Sequence, residues 1–157
     1  MPSLQLRPAT KADCRLLWEW ASDPAVRVAS FSTDPIPWEE HEQWFKTKLN
    51  DSRCRISLAL NETGTPIGQI RFDIREDGEA EVDVHIAPGE RGRGYGTTLI
   101  AEGLKALFAS TDVRTVHSFV KVSNAASRNA FLKAGFAELE KQSVHVEEVY
   151  HLIAERP

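Results

Sequence analysis

The sequence predicts an α+β protein, a mixed sheet flanked by helices, and three changes of period predict it. Apolar residues recur at helical spacing between positions 10 and 49, then alternate as in strands from Cys54 to Ile86. From position 97 a helix, a strand, a second helix and two strand-like segments follow in turn. Strands grouped into a meander, with helices segregated around them, belong to the α+β class.

At the start, residues 4–8 alternate apolar and polar as a short strand does. Thr10-Lys-Ala-Asp13 then resembles a capping box whose hydroxyl and carboxylate open a helix of about three turns, with Leu16, Leu17 and Trp20 on one face. Asp23-Pro24 reads as a second N-cap with Pro at the first helical position, leading a short turn through Val28. Trp38, His41, Trp44, Phe45 and Lys48 mark a second amphipathic helix over 38–49.

The meander runs through 55–60, a turn at 61–64, the alternation of Ile70, Phe72 and Ile74 with charged residues, and the Asp77-Gly78 hairpin signal. Its last strand alternates Val82, Val84 and Ile86 with Glu81, Asp83 and His85. Ile100, Leu104, Leu107 and Phe108 form the stripe of a helix over 97–109, followed by a strand over 116–122. A helix over 124–134 closes at Gly135-Phe136, where Gly suits the left-handed C-terminal position and Phe136 folds back on the last turn. Strands over 137–144 and 148–154 complete the chain.

Composition bounds the function. The 157 residues, 41% hydrophobic and 27% charged, fit one domain over 1–157 with an ordinary core. Net charge −4 argues against broad nucleic-acid binding. No apolar run approaches the ~20 residues of a membrane helix, and the first residues lack the basic start and apolar stretch of a signal peptide. Cys14 and Cys54 make neither a disulfide framework nor a CxxC zinc pattern, so a reduced, cytoplasmic protein is expected. His117, His145 and His151 share no metal-ligand spacing.

The sharpest feature is Pro88-Gly-Glu-Arg91-Gly92-Arg93-Gly94-Tyr95-Gly96, set between a strand and a helix. Glycines at alternate positions leave main-chain N–H groups open beside a helix N-terminus, whose partial positive charge favours an anion. Arg91 and Arg93 add charges suited to phosphate oxygens, so a pyrophosphate site is expected. A P-loop would need Gly-Lys followed by Ser or Thr, which is absent, and GxGxxG fails in both registers because Thr97 and Leu99 stand at the third glycine.

Arg91-x-x-Gly94-x-Gly96 resembles the Gln/Arg-x-x-Gly-x-Gly/Ala acetyl-CoA motif of the GNAT N-acetyltransferases. Asn124-x-x-Ser127, leading to Lys133-Ala-Gly135-Phe136, resembles that family's second cofactor motif, and the order of elements along the whole chain is similar. The resemblance implies a largely antiparallel central sheet with a splayed parallel strand pair. It implies acetyl-CoA as cofactor, its pyrophosphate on the amides of Arg91, Gly92, Arg93, Gly94, Tyr95, Gly96 and Thr97, with Asn124 and Ser127 also at the cofactor. The pantetheine arm would pair with the backbone of 84–87, and an N–H near Ile86 or Ala87 would hold the developing oxyanion. An amine would attack the acetyl group directly. A homodimer through terminal strands is an open possibility that the family allows.

For proton transfer the resemblance carries less. The tyrosine that many members place seven residues after the motif asparagine is Phe131 here, and the glutamate some place five residues before it is Phe119. Ser127 matches a serine of the ribosomal-protein N-terminal acetyltransferase branch, where it would protonate the thiolate; a helix-N-terminal Ser satisfying an amide is the other reading. His85 or Glu81, on one face of the cofactor strand with Asp83, would serve as base or hold a water, unless that face is simply solvated.

The acceptor side falls to the first 50 residues. Trp20, Arg27, Phe31, Trp38 and His41 are candidate acceptor contacts, aromatic faces for a base or sugar and polar groups for phosphate or hydroxyls. Trp44 and Phe45 read as core. Together with Trp18 and Ile36 these residues loosely resemble the GNAT branch that acetylates nucleotide-linked 4-amino sugars. Three functions are therefore weighed: a small-molecule N-acetyltransferase, a protein N-terminal acetyltransferase, and a non-catalytic acyl-CoA-binding module.

Overall fold

The computed structural model describes residues 3–139, 142–144 and 147–157; His145 lies outside them. Strand β1 (Gln5–Pro8) leads into a 3₁₀ turn and helix α1 (Cys14–Ala21), then α2 (Pro24–Ala29) and α3 (Trp38–Leu49). The meander is β2 (Cys54–Leu60), β3 (Pro66–Ile74) and β4 (Ala80–Ile86). Helix α4 (Tyr95–Ser110), β5 (Thr115–Lys121) and α5 (Ala125–Lys133) follow. The expected strand over 137–144 is two segments, β6 (Ala137–Glu138) and β7 (Gln142–Val144), both paired with β8 (Glu147–Glu155).

Local chemistry sets the helix ends. Asp13 accepts from the Thr10 amide at 2.8 Å and from both terminal nitrogens of Arg7 at 2.8 Å, so the carboxylate half of the capping box is made. The Thr10 hydroxyl turns to the same carboxylate at 3.4 Å. Asp23 caps α2 through the Ala25 amide at 3.2 Å, with Pro24 at the first position. At the end of α5, Gly135 takes φ 105° and the Phe136 amide donates to the Phe131 carbonyl at 3.0 Å. The Phe131 and Phe136 rings meet edge to face at 5.0 Å, the contact that closes a Schellman motif.

The sheet runs β1-β2-β3-β4-β5-β8-β6, with β7 beside β8, and every pairing is antiparallel except β4 with β5. Each face carries its own core. Ile70, Phe72, Leu99, Ile100, Val116 and Leu152 belong to the cluster shared with α4, while Leu17, Trp20, Phe45, Ile56 and Leu58 form the cluster under α1 and α3. Full burial of each such side chain contributes ~1.5–3 kcal/mol, so these clusters hold the helices against the sheet. Among the described residues no helix is long and apolar enough to cross a membrane, and both cysteines are free.

Candidate active site

The parallel pairing of β4 with β5 covers Ala80↔Val116 and Glu81↔His117, after which the strands part. A cleft of about 1090 Å³ opens in the gap, above the ~300–1,000 Å³ of a site for one drug-sized ligand, so it has room for a cofactor and an acceptor together.

The β3–β4 register decides which main-chain groups face this gap. The Ala87 amide donates to the Ile67 carbonyl at 2.8 Å, so residues 67 and 87 are a hydrogen-bonded pair, and by alternation so are 69 and 85, and 71 and 83. The amides of Val82, Val84 and Ile86 therefore point away from β3, toward the gap. This corrects one expectation: Ala87 is buried with its N–H already used, and it does not line the cleft. The strand amides left facing the gap beyond the pairing with β5 are those of Val84 and Ile86.

At the mouth of the gap, Gly92 and Gly94 take φ of 78° and 83°. A side chain there would strain the turn, which explains glycine at both positions. Gly94 is the N-cap of α4, so the first amides of that helix face the cleft without side-chain caps. Arg91, Gly92, Gly94, Tyr95, Gly96 and Thr97 all line the cleft. Arg93 does not: its side chain is 63% exposed and lies 3.5 Å from Glu90. Asn124 and Ser127 line the cleft from α5, where the Asn124 side chain accepts from the Ser127 amide at 3.2 Å. Ser127 is thus the residue whose amide is capped, and its hydroxyl is not the cap.

On the opposite face of β4, Asp83 and His85 meet the cleft. His85 Nε2 lies 3.3 Å from Asp83 Oδ2, which also accepts from Gln69 Nε2 at 3.2 Å. Arg71 stands 3.8 Å from the same oxygen and donates to Asp73 at 2.9 Å, and Lys48 donates to Asp73 at 2.9 Å. Burial works against the charge on Asp83, but His85 and Arg71 outweigh it and hold its carboxyl below the ordinary carboxylate range. The Nε2 side of the His85 ring is thus turned to the Asp83 carboxylate. Glu81 is different: it sits at the closed end of the fork, 3.7 Å from Arg75, and does not reach the cleft.

The acceptor residues divide. Phe31, Arg27 and His41 line the cleft, whereas Trp20 and Trp38 do not. Trp20 is 6% exposed in the core beneath α1, because its helical position points it at β2. Trp38 packs edge to face on Trp18 at 5.3 Å and stacks on His41. Arg27 is occupied: its guanidinium donates to the carbonyls of Ala21, Ser32 and Asp34 and to the Ser30 hydroxyl, tying α2 to the segment after it. His41 is buried, donates Nε2–H to the Cys14 carbonyl at 3.0 Å, and burial pushes its pKa down. Phe45 is core as expected, but Trp44 is 37% exposed and lines the cleft, with Arg71 5.0 Å over its ring.

Sequence reasoning missed Gln69 and Lys121. Both are buried polar residues lining the cleft, and Lys121 donates to the Val28 carbonyl at 3.0 Å. A polar side chain within an otherwise apolar strand was the available signal. His117 and His151 are brought together at 2.8 Å, with His117 also 2.6 Å from Glu79, so these rings serve one another and a carboxylate.

An antiparallel sheet forked at one parallel pair, with open strand amides on one prong and a glycine loop at the mouth, defines a site for an acyl-CoA thioester. Residues 3–137 match the family model described as the acetyltransferase (GNAT) domain, and the chain belongs to that family. It is a GNAT acetyltransferase using acetyl-CoA. The chain is 29% identical over 119 residues to the putative phosphinothricin acetyltransferase YwnH of Bacillus subtilis (strain 168), covering 73% of this chain and 71% of that protein. The structure of AAC(6')-Ib in complex with ribostamycin and coenzyme A matches at TM-score 0.85 and 18% identity, covering 98% and 94% of the two chains. Spermidine N-acetyltransferase from Vibrio cholerae, in complex with CoA and spermine, matches at TM-score 0.86 and 20% identity, covering 97% and 95%.

Proposed function

We propose that this enzyme acetylates a primary amine of a small molecule, and that the amine is carried on an amino sugar, the nucleotide-linked form being the first to test. The observation that carries the reading is the Asp83–His85 pair facing the gap beside the outward amides of β4. Asp83, kept ionised, draws the incoming ammonium. His85 Nδ1 takes its proton, oriented by the Asp83 contact on Nε2. The neutral amine then forms its bond to the thioester carbonyl carbon, while the Val84 or Ile86 amide holds the oxyanion. On collapse the C–S bond breaks. The remaining extra proton of the attacking nitrogen passes to the Ser127 oxygen as Ser127 gives its own hydroxyl proton to the departing thiolate. The serine ends neutral, and the products are the amide and the free thiol.

Phe31 and Trp44 supply apolar faces to the same cleft as Asp83, a combination suited to a ring that also carries an amine. The named relatives support a small acceptor, since their names and titles speak of phosphinothricin, an aminoglycoside and a polyamine. With Arg27 engaged by the backbone, any phosphate on the acceptor must find another partner.

The test is free-thiol release from acetyl-CoA across a panel: a UDP-4-amino sugar, kanamycin, spermidine, phosphinothricin and a peptide with a free N-terminus. Release with the amino sugar nucleotide is expected. Release confined to the polyamine, phosphinothricin or the peptide overturns the acceptor; CoA binding without release from any amine overturns the transferase chemistry.

A further inference from the structure

The contact between Arg91 and Asp23 spans the two halves of the cleft. Arg91 Nη2 donates to Asp23 Oδ2 at 3.2 Å, and the same oxygen accepts from the Ala25 amide at 3.2 Å, where it caps α2. Arg91 belongs to the cofactor loop, and α2 forms part of the acceptor wall through Ala25, Val26 and Ala29. Two further ties make α2 and the segment after it move as one unit: the Arg27 clamp, and the Ser30 hydroxyl on the Val26 carbonyl at 2.6 Å. Arg91 spends one terminal nitrogen on Asp23, and a guanidinium carries donors on its other edge that suit a phosphate.

We propose that Asp23 is a positioning residue that couples cofactor binding to the acceptor wall. Resting on the reading of Arg91 as a pyrophosphate ligand, the guanidinium bridges cofactor and carboxylate. Once the anion immobilises Arg91, Asp23 is held more firmly, and with it the first turn of α2. Cofactor binding therefore orders the wall against which the amine docks. Coupling of this kind is reciprocal, so an acceptor that orders α2 also tightens cofactor binding.

Asp23→Asn isolates the effect, because asparagine caps a helix about as well as aspartate but carries no charge for Arg91. Hydrogen exchange of the amides at 25–30 is measured with and without CoA, alongside CoA affinity by calorimetry. In the wild type, CoA should slow exchange there about two- to fivefold, the range an exposed ion pair supports. In Asp23→Asn that protection should vanish while protection at 91–97 persists, and Asp23→Ser, which also keeps a capping oxygen, should behave alike. Equal protection at 25–30 in the variants overturns the coupling. So does absence of protection at 25–30 in the wild type when 91–97 is protected. An Arg91→Ala variant with unchanged CoA affinity would instead overturn the pyrophosphate assignment, and this proposal with it.

Discussion

The two ends of the cleft are made of different material. The end we assign to the cofactor is main chain: the outward amides of Val84 and Ile86, the turn at Gly92 and Gly94, and the uncapped start of α4. The end we assign to the acceptor is side chain: Asp83, His85, Arg71, Trp44 and Phe31, drawn from β3, β4, α3 and the segment after α2. Backbone geometry suits a ligand that does not change, whereas side chains can be exchanged without disturbing the fold.

The comparison breaks most visibly at Asp83. Asp83→Asn keeps the shape of the site and removes the charge that we propose draws the ammonium and orients His85. Turnover should fall ~10²–10⁴-fold, the range of general acid–base contributions, with CoA affinity unchanged by calorimetry. A parallel loss of CoA affinity would mean that the two ends are not separate.

Next comes the backbone end. A methyl group at Gly68 would meet the His85 carbonyl at 2.8 Å and Leu99 at 3.2 Å, pressing β3 off the strand that carries the open amides. Gly68→Ala should lose about 1–3 kcal/mol of stability by urea unfolding, as overpacking does. A stability equal to wild type would show that the fork has slack.

A finer cut compares the two loop arginines. Arg91→Ala should weaken CoA about tenfold, near the lower end for a hydrogen bond to a charged group. Arg93→Ala, turned outward toward Glu90, should change affinity less than about twofold, as exposed pairs do. Equal losses would return both arginines to the pyrophosphate.

The smallest effect is in the acceptor scaffold. Burial lowers the pKa of His41, so the folded state resists its protonation. Its contribution is complete above the unfolded value of ~6.5 and is lost as pH falls below it. His151, lowered by burial and by the neighbouring His117 and Arg75, adds in the same direction. His41→Gln keeps a donor for the Cys14 carbonyl and cannot titrate. The fall in Tm between pH 7 and 5 should therefore be shallower in the variant than in the wild type. An unchanged slope would place the titration elsewhere.

Legibility followed the same division. Glycine spacing before a helix is a statement about φ and about open amides, so Arg91, Gly92, Gly94 and Gly96 were readable from the chain alone. The Asp23 cap and the Gly135-Phe136 closure were equally local. Trp20 and Trp44 were misassigned in opposite directions, because helical periodicity locates an apolar face without saying whether a sheet or a cleft meets it. Arg27 looked like a phosphate ligand until its neighbours' carbonyls claimed it, and Ala87 looked like an oxyanion donor until Ile67 did.

By itself the sequence determined the order of the helices and the glycine turn before α4, since each depends on residues a few positions apart. Tertiary structure alone decided where β4 and β5 part, because those strands meet across a long stretch of chain. It also decided that Gln69, Arg71 and Asp73 stand beside Asp83 and His85. That depends on the register of the β3–β4 hairpin, where a shift of one residue would turn those side chains to the opposite face.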